Sequence, residues 1–213
     1  TDMRDAQWIA TLLRAGLLKG SFIPDKTFRE LRHLTRYRKS IVRDITAQKN
    51  RIDKFLQSSG FRFTAFLSDA FGASGRNIIR HLMEYGNISR EALDRCLKTQ
   101  TRKRIDEILI ALNGSLSEHQ RGFLRMIFGH LEALEQHRHT VEDAITKEIT
   151  KHEEALSLLC SIPGIDVTAA AAIIAEIGTD MSAFPDSQHI CSWAGLSPGN
   201  NESAGKRKSA HIN

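Results

Sequence analysis

The sequence predicts a mainly α protein: long coiled-coil helices with an inserted helical bundle, followed by a helical domain containing a helix-hairpin-helix-like turn. Three observations predict it. Only four prolines and two tyrosines occur in 213 residues, and strand-like alternation is scarce. From Asp25 to Ser58 there is no Gly or Pro, and Phe28, Leu31, Leu34, Ile41, Ile45, Ile52 and Phe55 recur at spacings drawn from 3, 4 and 7. A second stretch, from about Ser117 to Cys160, repeats the pattern with Phe123, Ile127, Leu131, Leu134, Val141, Ile145 and Ile149.

Taken in order, Asp2 to about Leu18 reads as a helix with Ala6, Ile9, Leu12 and Leu13 on one face, which is expected to point into the protein. Gly16 and Gly20 loosen the chain, and Pro24 starts a new element. In the first long helix, Arg38 and Gln48 interrupt the apolar stripe, so a coil of moderate stability is expected. Gly60 to Leu116 reads as shorter helices jointed at Phe71–Gly75 and Tyr85–Asn87, with Ser89 ahead of Glu91 as a helix start. Two long striped helices flanking this insert suggest an antiparallel stalk, closed within the chain or against a second copy, with the insert at its tip. After Leu156 the chain reads as helix, tight turn and helix, with Gly178 as the stop. A polar loop is expected from Ser197 to Asn213. Domains are expected at 1–24, 25–155 and 156–213.

Composition narrows the function. No apolar run approaches the ~20 residues a bilayer span needs, and the charged start Thr1–Asp5 is no signal peptide. Cys96, Cys160 and Cys191 are scattered and never form CxxC, which argues for a reducing cytosol and against a disulfide framework or structural zinc. Between Lys26 and Lys54, ten Lys/Arg stand against three acids, a local +7 within a net +5. Either this is a solvated helix face or it is the footprint of a polyanion, with nucleic acid the usual one. The start without Met and the basic end read as a fragment.

Three stretches could carry chemistry. Asp2 and Asp5, one turn apart, could share a divalent ion, or could simply complement a helix N-terminus. The turn Ser161-Ile162-Pro163-Gly164-Ile165 could offer backbone N–H groups to a phosphate. Asp166, where a second glycine is common, would repel that phosphate, so a packing turn is the alternative reading. Ser203, close to Lys206, Arg207 and Lys208, could attack a phosphodiester whose charge the cations offset, or could belong to a basic loop with no catalytic part. No Walker-type loop or Ser-His-Asp spacing appears.

The start Thr1-Asp2-x-x-Asp5-Ala6 and the run Leu31-Arg32-x-Leu34-x-Arg36-x-Arg38 stand in order with the turn Ile162-Pro163-Gly164-Ile165 and the ending Trp193-Ala194-Gly195-Leu196-Ser197 to Lys206. Together they resemble the DEDD-motif insertion-sequence transposases, whose best-understood members are bridge-RNA-guided serine recombinases. Leu67 to Arg76 in the insert resembles one large branch of that family. The resemblance implies a resolvase-like (RuvC-like) first domain, of which 1–24 is a remnant. Asp2 and Asp5 match the last two of four Mg²⁺-binding acids, the first two belonging before residue 1, and the isolated chain is then expected to be inactive. Ser203 maps onto the family's nucleophile, with Ala204 between it and Gly205 and with Ser209 a weaker substitute. The implied partners are DNA, with a guide RNA left open, and further copies of the chain as a dimer or tetramer, in the cytoplasm. Arg32, Arg36, Lys39, Arg43, Gly164, Lys206, Arg207 and Lys208 are the expected nucleic-acid contacts. The rival reading is a non-catalytic helical scaffold that binds nucleic acid or dimerises.

Overall fold

Long uninterrupted helical periodicity folds as expected: α2 runs Lys26–Ser58 and α7 runs Glu118–Ile149. A computed structural model of the chain describes residues 2–18, 22–196, 201–203 and 206–209. Their architecture is mainly α. The remaining elements are α1 (Asp2–Arg14), α3 (Ala73–Tyr85), α4 (Arg90–Cys96), α5 (Thr99–Arg102) and α6 (Ile105–Ile110), then α8 (Glu153–Cys160), α9 (Val167–Ile177), α10 (Ser187–Trp193), β1 (Asn201–Ser203) and β2 (Lys206–Ser209). Contacts divide the chain into two units, Leu34–Glu148 and the joined segments Thr1–His33 and Ile149–Asn213. No helix among the described residues is long and apolar enough to cross a membrane.

In the Leu34–Glu148 unit the two stripes close on each other within one chain. Ile41, Ile45, Ile52 and Leu56 of α2 are buried, as are Leu124, Ile127, Phe128, Leu131, Val141 and Ile145 of α7. Arg38 meets Glu142, Gln48 meets Ile127, and Phe55 meets Phe123, so numbers rise on one helix as they fall on the other. The pair is therefore antiparallel. Both polar interruptions of the α2 stripe have partners there. Arg38 Nε donates to Glu142 Oε1 at 2.9 Å. Gln48, 1% exposed, donates from Nε2 to the Ile127 carbonyl at 2.6 Å. A polar side chain at a seam position is tolerable only when satisfied in this way.

The insert starts and finishes at the tip of the stalk, as its place in the sequence suggested, with the Arg62 N–H donating to the Ala111 carbonyl at 2.8 Å, but it does not stay there. Its first helix, α3, folds back along α7. Arg76 grips both carboxylate oxygens of Glu135 at 2.7 and 2.8 Å, Arg80 meets Glu132 at 2.9 Å, and Arg125 donates to the Met83 carbonyl at 2.8 Å. Apolar burial drives this return, because Ile78, Ile79 and Leu82 are fully covered. The turn leading into α3 demands glycine at position 75, where a Cβ would lie 1.9 Å from the Ala70 carbonyl oxygen. The two joints fall where expected: α3 starts after Gly72 and ends at Gly86, whose φ is +79°. Ser89 caps α4, its hydroxyl accepting from the Ala92 N–H.

In the other unit, the second striped stretch ends earlier than its periodicity suggested. A 3-10 turn at Thr150–His152 separates α7 from α8, with the His152 ring packed against Phe28 at 4.8 Å between centroids. The turn Ser161–Asp166 then joins α8 to α9, which stops at Gly178 as expected. Ala170, Ala171, Ile174 and Ala175 of α9 are buried, and Phe22, Phe184 and Trp193 stack edge-on with centroids 4.9 to 5.9 Å apart. The expected polar loop after Ser197 contains the β1–β2 hairpin, antiparallel across a connection of two residues. So short a connection between extended segments matches hairpin geometry.

A serine hairpin and a basic helix face

Trp193, held in the aromatic cluster, ends α10 and leads toward the hairpin. α10 is itself well started. The Asp186 carboxylate accepts the His189 N–H at 2.9 Å and lies 2.8 Å from His189 Nδ1. Those bonds, the ring's first and the backbone's second, hold the Asp186 carboxyl below the usual carboxylate range. Beyond α10, Ser203 closes β1 opposite Lys206, and Glu202 stands opposite Arg207, with a register irregularity between Asn201 and Glu202. Lys208 belongs to β2 as well. The nominated nucleophile and all three nominated cations thus share one hairpin.

The turn at Gly164 is differently disposed. Gly164 is exposed with φ of +91°, and a Cβ there would meet nothing within 4 Å. Its approach to a ligand is open. Asp166, however, is the N-cap of α9, and its Oδ1 accepts the Ala169 N–H at 2.7 Å. The first turn of α9 already has an anionic partner there, which weakens its pull on a second anion.

The basic residues of α2 separate by face. Arg32 is built into its own unit: its guanidinium donates to the Glu176 carbonyl at 2.8 Å and meets the Glu176 carboxylate at 2.9 Å. It thereby caps the C-terminal end of α9, where cations are favoured. Arg36, Lys39 and Arg43 are exposed, and so is Lys54. At 100° per residue these four project from one side of α2, opposite Ile41, Ile45 and Ile52. Lys54 was not singled out by charge counting; projecting the sequence onto a helical wheel finds it.

α1 carries Asp5 on an exposed surface, and of the apolar stripe expected to point inward only Leu12 is half-buried, with Ile9 56% and Leu13 62% accessible. Periodicity decides which residues share a face, not whether the chain supplies that face with a partner. Asp2 lies on the same helix, one turn before Asp5. Among the described residues no group of three or more His, Cys, Asp or Glu could hold a metal ion. Two carboxylates do not meet the near-octahedral demand of Mg²⁺ by themselves. The described cysteines are free.

Two family models match the chain. Residues 156–213 match the Transposase IS116/IS110/IS902 family, and residues 1–60 match the DEDD model of IS110 transposases, described as Transposase. The first match contains the α8–α9 turn and the serine hairpin, and the second contains Asp2, Asp5 and the basic face of α2. No curated protein matches the chain. Both ends of the chain are thus similar to IS110-family transposases.

Proposed function

We propose that the transposase carrying this chain cuts and rejoins DNA with Ser203 as its nucleophile. The observation that carries this reading is the hairpin register, which sets Ser203 opposite Lys206 on a strand that also holds Arg207 and Lys208. In the step proposed, Ser203 Oγ bonds to a backbone phosphorus and loses its proton. The bond from phosphorus to one deoxyribose oxygen breaks, and that oxygen leaves as a hydroxyl. The product is a phosphoserine ester that a second hydroxyl can resolve. Cations beside the phosphate offset its charge as the pentavalent arrangement forms.

Arg36, Lys39, Arg43 and Lys54 hold backbone phosphates in this reading, positioning the duplex without reading its sequence. Arg32 is reassigned to supporting α9, and the Gly164 turn is a weak phosphate contact because Asp166 already caps the start of α9. Asp2 and Asp5 would offer two oxygens toward Mg²⁺, with further donors needed. When bound, that ion would polarise the attacked phosphate.

The test is a covalent adduct. Incubated with Mg²⁺ and element-end DNA, the transposase carrying this sequence should give a protein–DNA species that survives denaturing electrophoresis. Ser203→Ala should remove it and leave binding nearly unchanged, while Ser209→Ala should retain it. An adduct formed by Ser203→Ala would refute the assignment. Binding with no adduct from any serine would favour the scaffold reading.

A further inference from the structure

The insert holds a concentration of charge that the proposed reaction leaves unused. From Arg95 to Arg104 five cations stand with no acid among them. The acids on either side are already taken, Asp94 by Arg102 at 2.9 Å, Asp106 by Arg90, and Glu107 by Arg104 at 2.7 Å. Arg95, Lys98 and Lys103 remain, exposed and ion-paired with no acid among the described residues. An exposed ring stands beside them. Tyr85 ends α3, 58% accessible, with the His81 ring packed against it at 4.5 Å between centroids. Its place is fixed, because the carbonyl of the next residue, Gly86, accepts the Leu116 N–H at 2.8 Å. α4 then returns along α3: Asn77 donates to the Cys96 carbonyl at 3.4 Å, and the Lys98 N–H donates to Ser74 Oγ at 3.0 Å. Arg95 and Lys98 are therefore laid alongside α3, whose stretch from Ser74 to Tyr85 is about 16 Å long. Arg95 is close enough to act on both rings. Burial lowers the His81 pKa, with Glu84 opposing and Arg95 adding to it. Glu84 raises the Tyr85 pKa by hydrogen bonding and by charge, and Arg95 pulls it down.

We propose that this side of the insert holds a single strand of nucleic acid, with an unpaired base stacked on Tyr85 and the following phosphates on Arg95 and Lys98. An exposed ring by itself is ordinary on a protein surface. A fixed ring with unpaired cations running away from it along one helix is the arrangement that takes an unpaired strand, because every base has a face to stack and the cations track the backbone. Glu84, beside the ring, repels phosphate and so sets the backbone on the Arg95 side. A duplex keeps its bases stacked on one another and offers the ring no face. Stacking and phosphate contact are common to DNA and RNA, so the assignment is to the unpaired state and not to the sugar.

Tyr85→Phe keeps the ring and Tyr85→Ala removes it, and the exposure of the site lets both fold as the parent does. Fluorescence anisotropy with the transposase carrying this sequence, using labelled oligothymidylate and oligouridylate about 10 nucleotides long, compares them. Tyr85→Ala should weaken binding by about fivefold or more, the loss of one stacked base, while Tyr85→Phe stays close to the parent. Lys98→Ala should lower the log–log salt slope by about 0.7, the value for one phosphate of a single strand. Blunt duplex DNA should bind the parent and Tyr85→Ala alike. A loss on one of the two oligonucleotides alone would support the proposal and name the sugar of the strand. A parent that binds neither oligonucleotide, a Tyr85→Ala variant as tight as the parent, a Tyr85→Phe variant as weak as Tyr85→Ala, or an equal loss on duplex would each overturn it. The duplex arm reads the basic face of α2, and no arm depends on Ser203, so failure here and failure of the proposed reaction show separately.

Discussion

Gln48 tests the packing of the α2–α7 seam. It is 1% exposed, and its amide bonds the Ile127 carbonyl at 2.6 Å. Gln48→Ala forfeits that bond, worth about 1 kcal/mol net, and leaves a cavity costing about 1–2 kcal/mol more. The expected loss is therefore about 2–3 kcal/mol. Gln48→Met keeps nearly the same shape. It loses the same hydrogen bond, and the acceptor that Gln48 Oε1 gives Arg51, but buries apolar surface in its place; the Ile127 carbonyl remains inside α7 with a helical donor, and the exposed Arg51 can turn to water. The methionine variant should lie within about 1 kcal/mol of the parent. Urea unfolding followed by circular dichroism measures both. With a slope of roughly 1–3 kcal/mol per molar, the alanine variant's midpoint should fall by on the order of 1 M. A methionine variant as weak as the alanine variant would show that the hydrogen bond, not the filling, holds the seam. An alanine variant near the parent would show that the seam is not packed as described.

The basic face and Arg32 should separate in a salt titration of DNA binding. Lys39→Ala and Arg43→Ala should each lower the log–log slope by about 0.9. Arg32→Ala should leave the slope alone and lower Tm by a few degrees, since about 1–3 kcal/mol of charged hydrogen bonding is lost and each kcal/mol is worth roughly 2–4 °C in a chain of this size. Equal slopes for all three variants would refute the division by face. Asp186 gives a pH prediction. Its carboxyl is held below the usual range in the folded chain, so its contribution is present above its unfolded value near ~4 and is lost as pH falls through the lower folded value. Melting the parent and Asp186→Asn from neutral to acid pH should show the variant's stability falling less steeply below about pH 4. Parallel curves over that range would count against this account.

Much of the fold was legible because its periodicity is long. The stripes from Phe28 to Phe55 and from Phe123 to Ile149 specify which sides of α2 and α7 are buried, and Gly72, Gly86, Ser89 and Gly178 mark ends through local conformation and capping. What the sequence could not settle depended on partners distant along the chain. Nothing local stops α7 before Cys160; the break at Thr150–His152 accompanies the packing of His152 on Phe28. Arg32 and Arg36 look alike in a list of cations, yet only a folded chain places the C-terminal end of α9 at Arg32. The hairpin was hidden because so short a pair of polar strands has no alternation to reveal it.

The separation between the two halves of the stalk also sets a problem of timing on the ribosome. Arg38 waits for Glu142, 104 residues later, and Gln48 waits for Ile127, 79 residues later. At about 5–20 residues per second, the apolar side of α2 stands without its partner for roughly five to twenty seconds. During that interval a neighbouring nascent chain can present the same complementary helix. Pairing across two chains would then satisfy the same hydrogen bonds as pairing within one, so the two pairings compete for as long as neighbouring chains are being made.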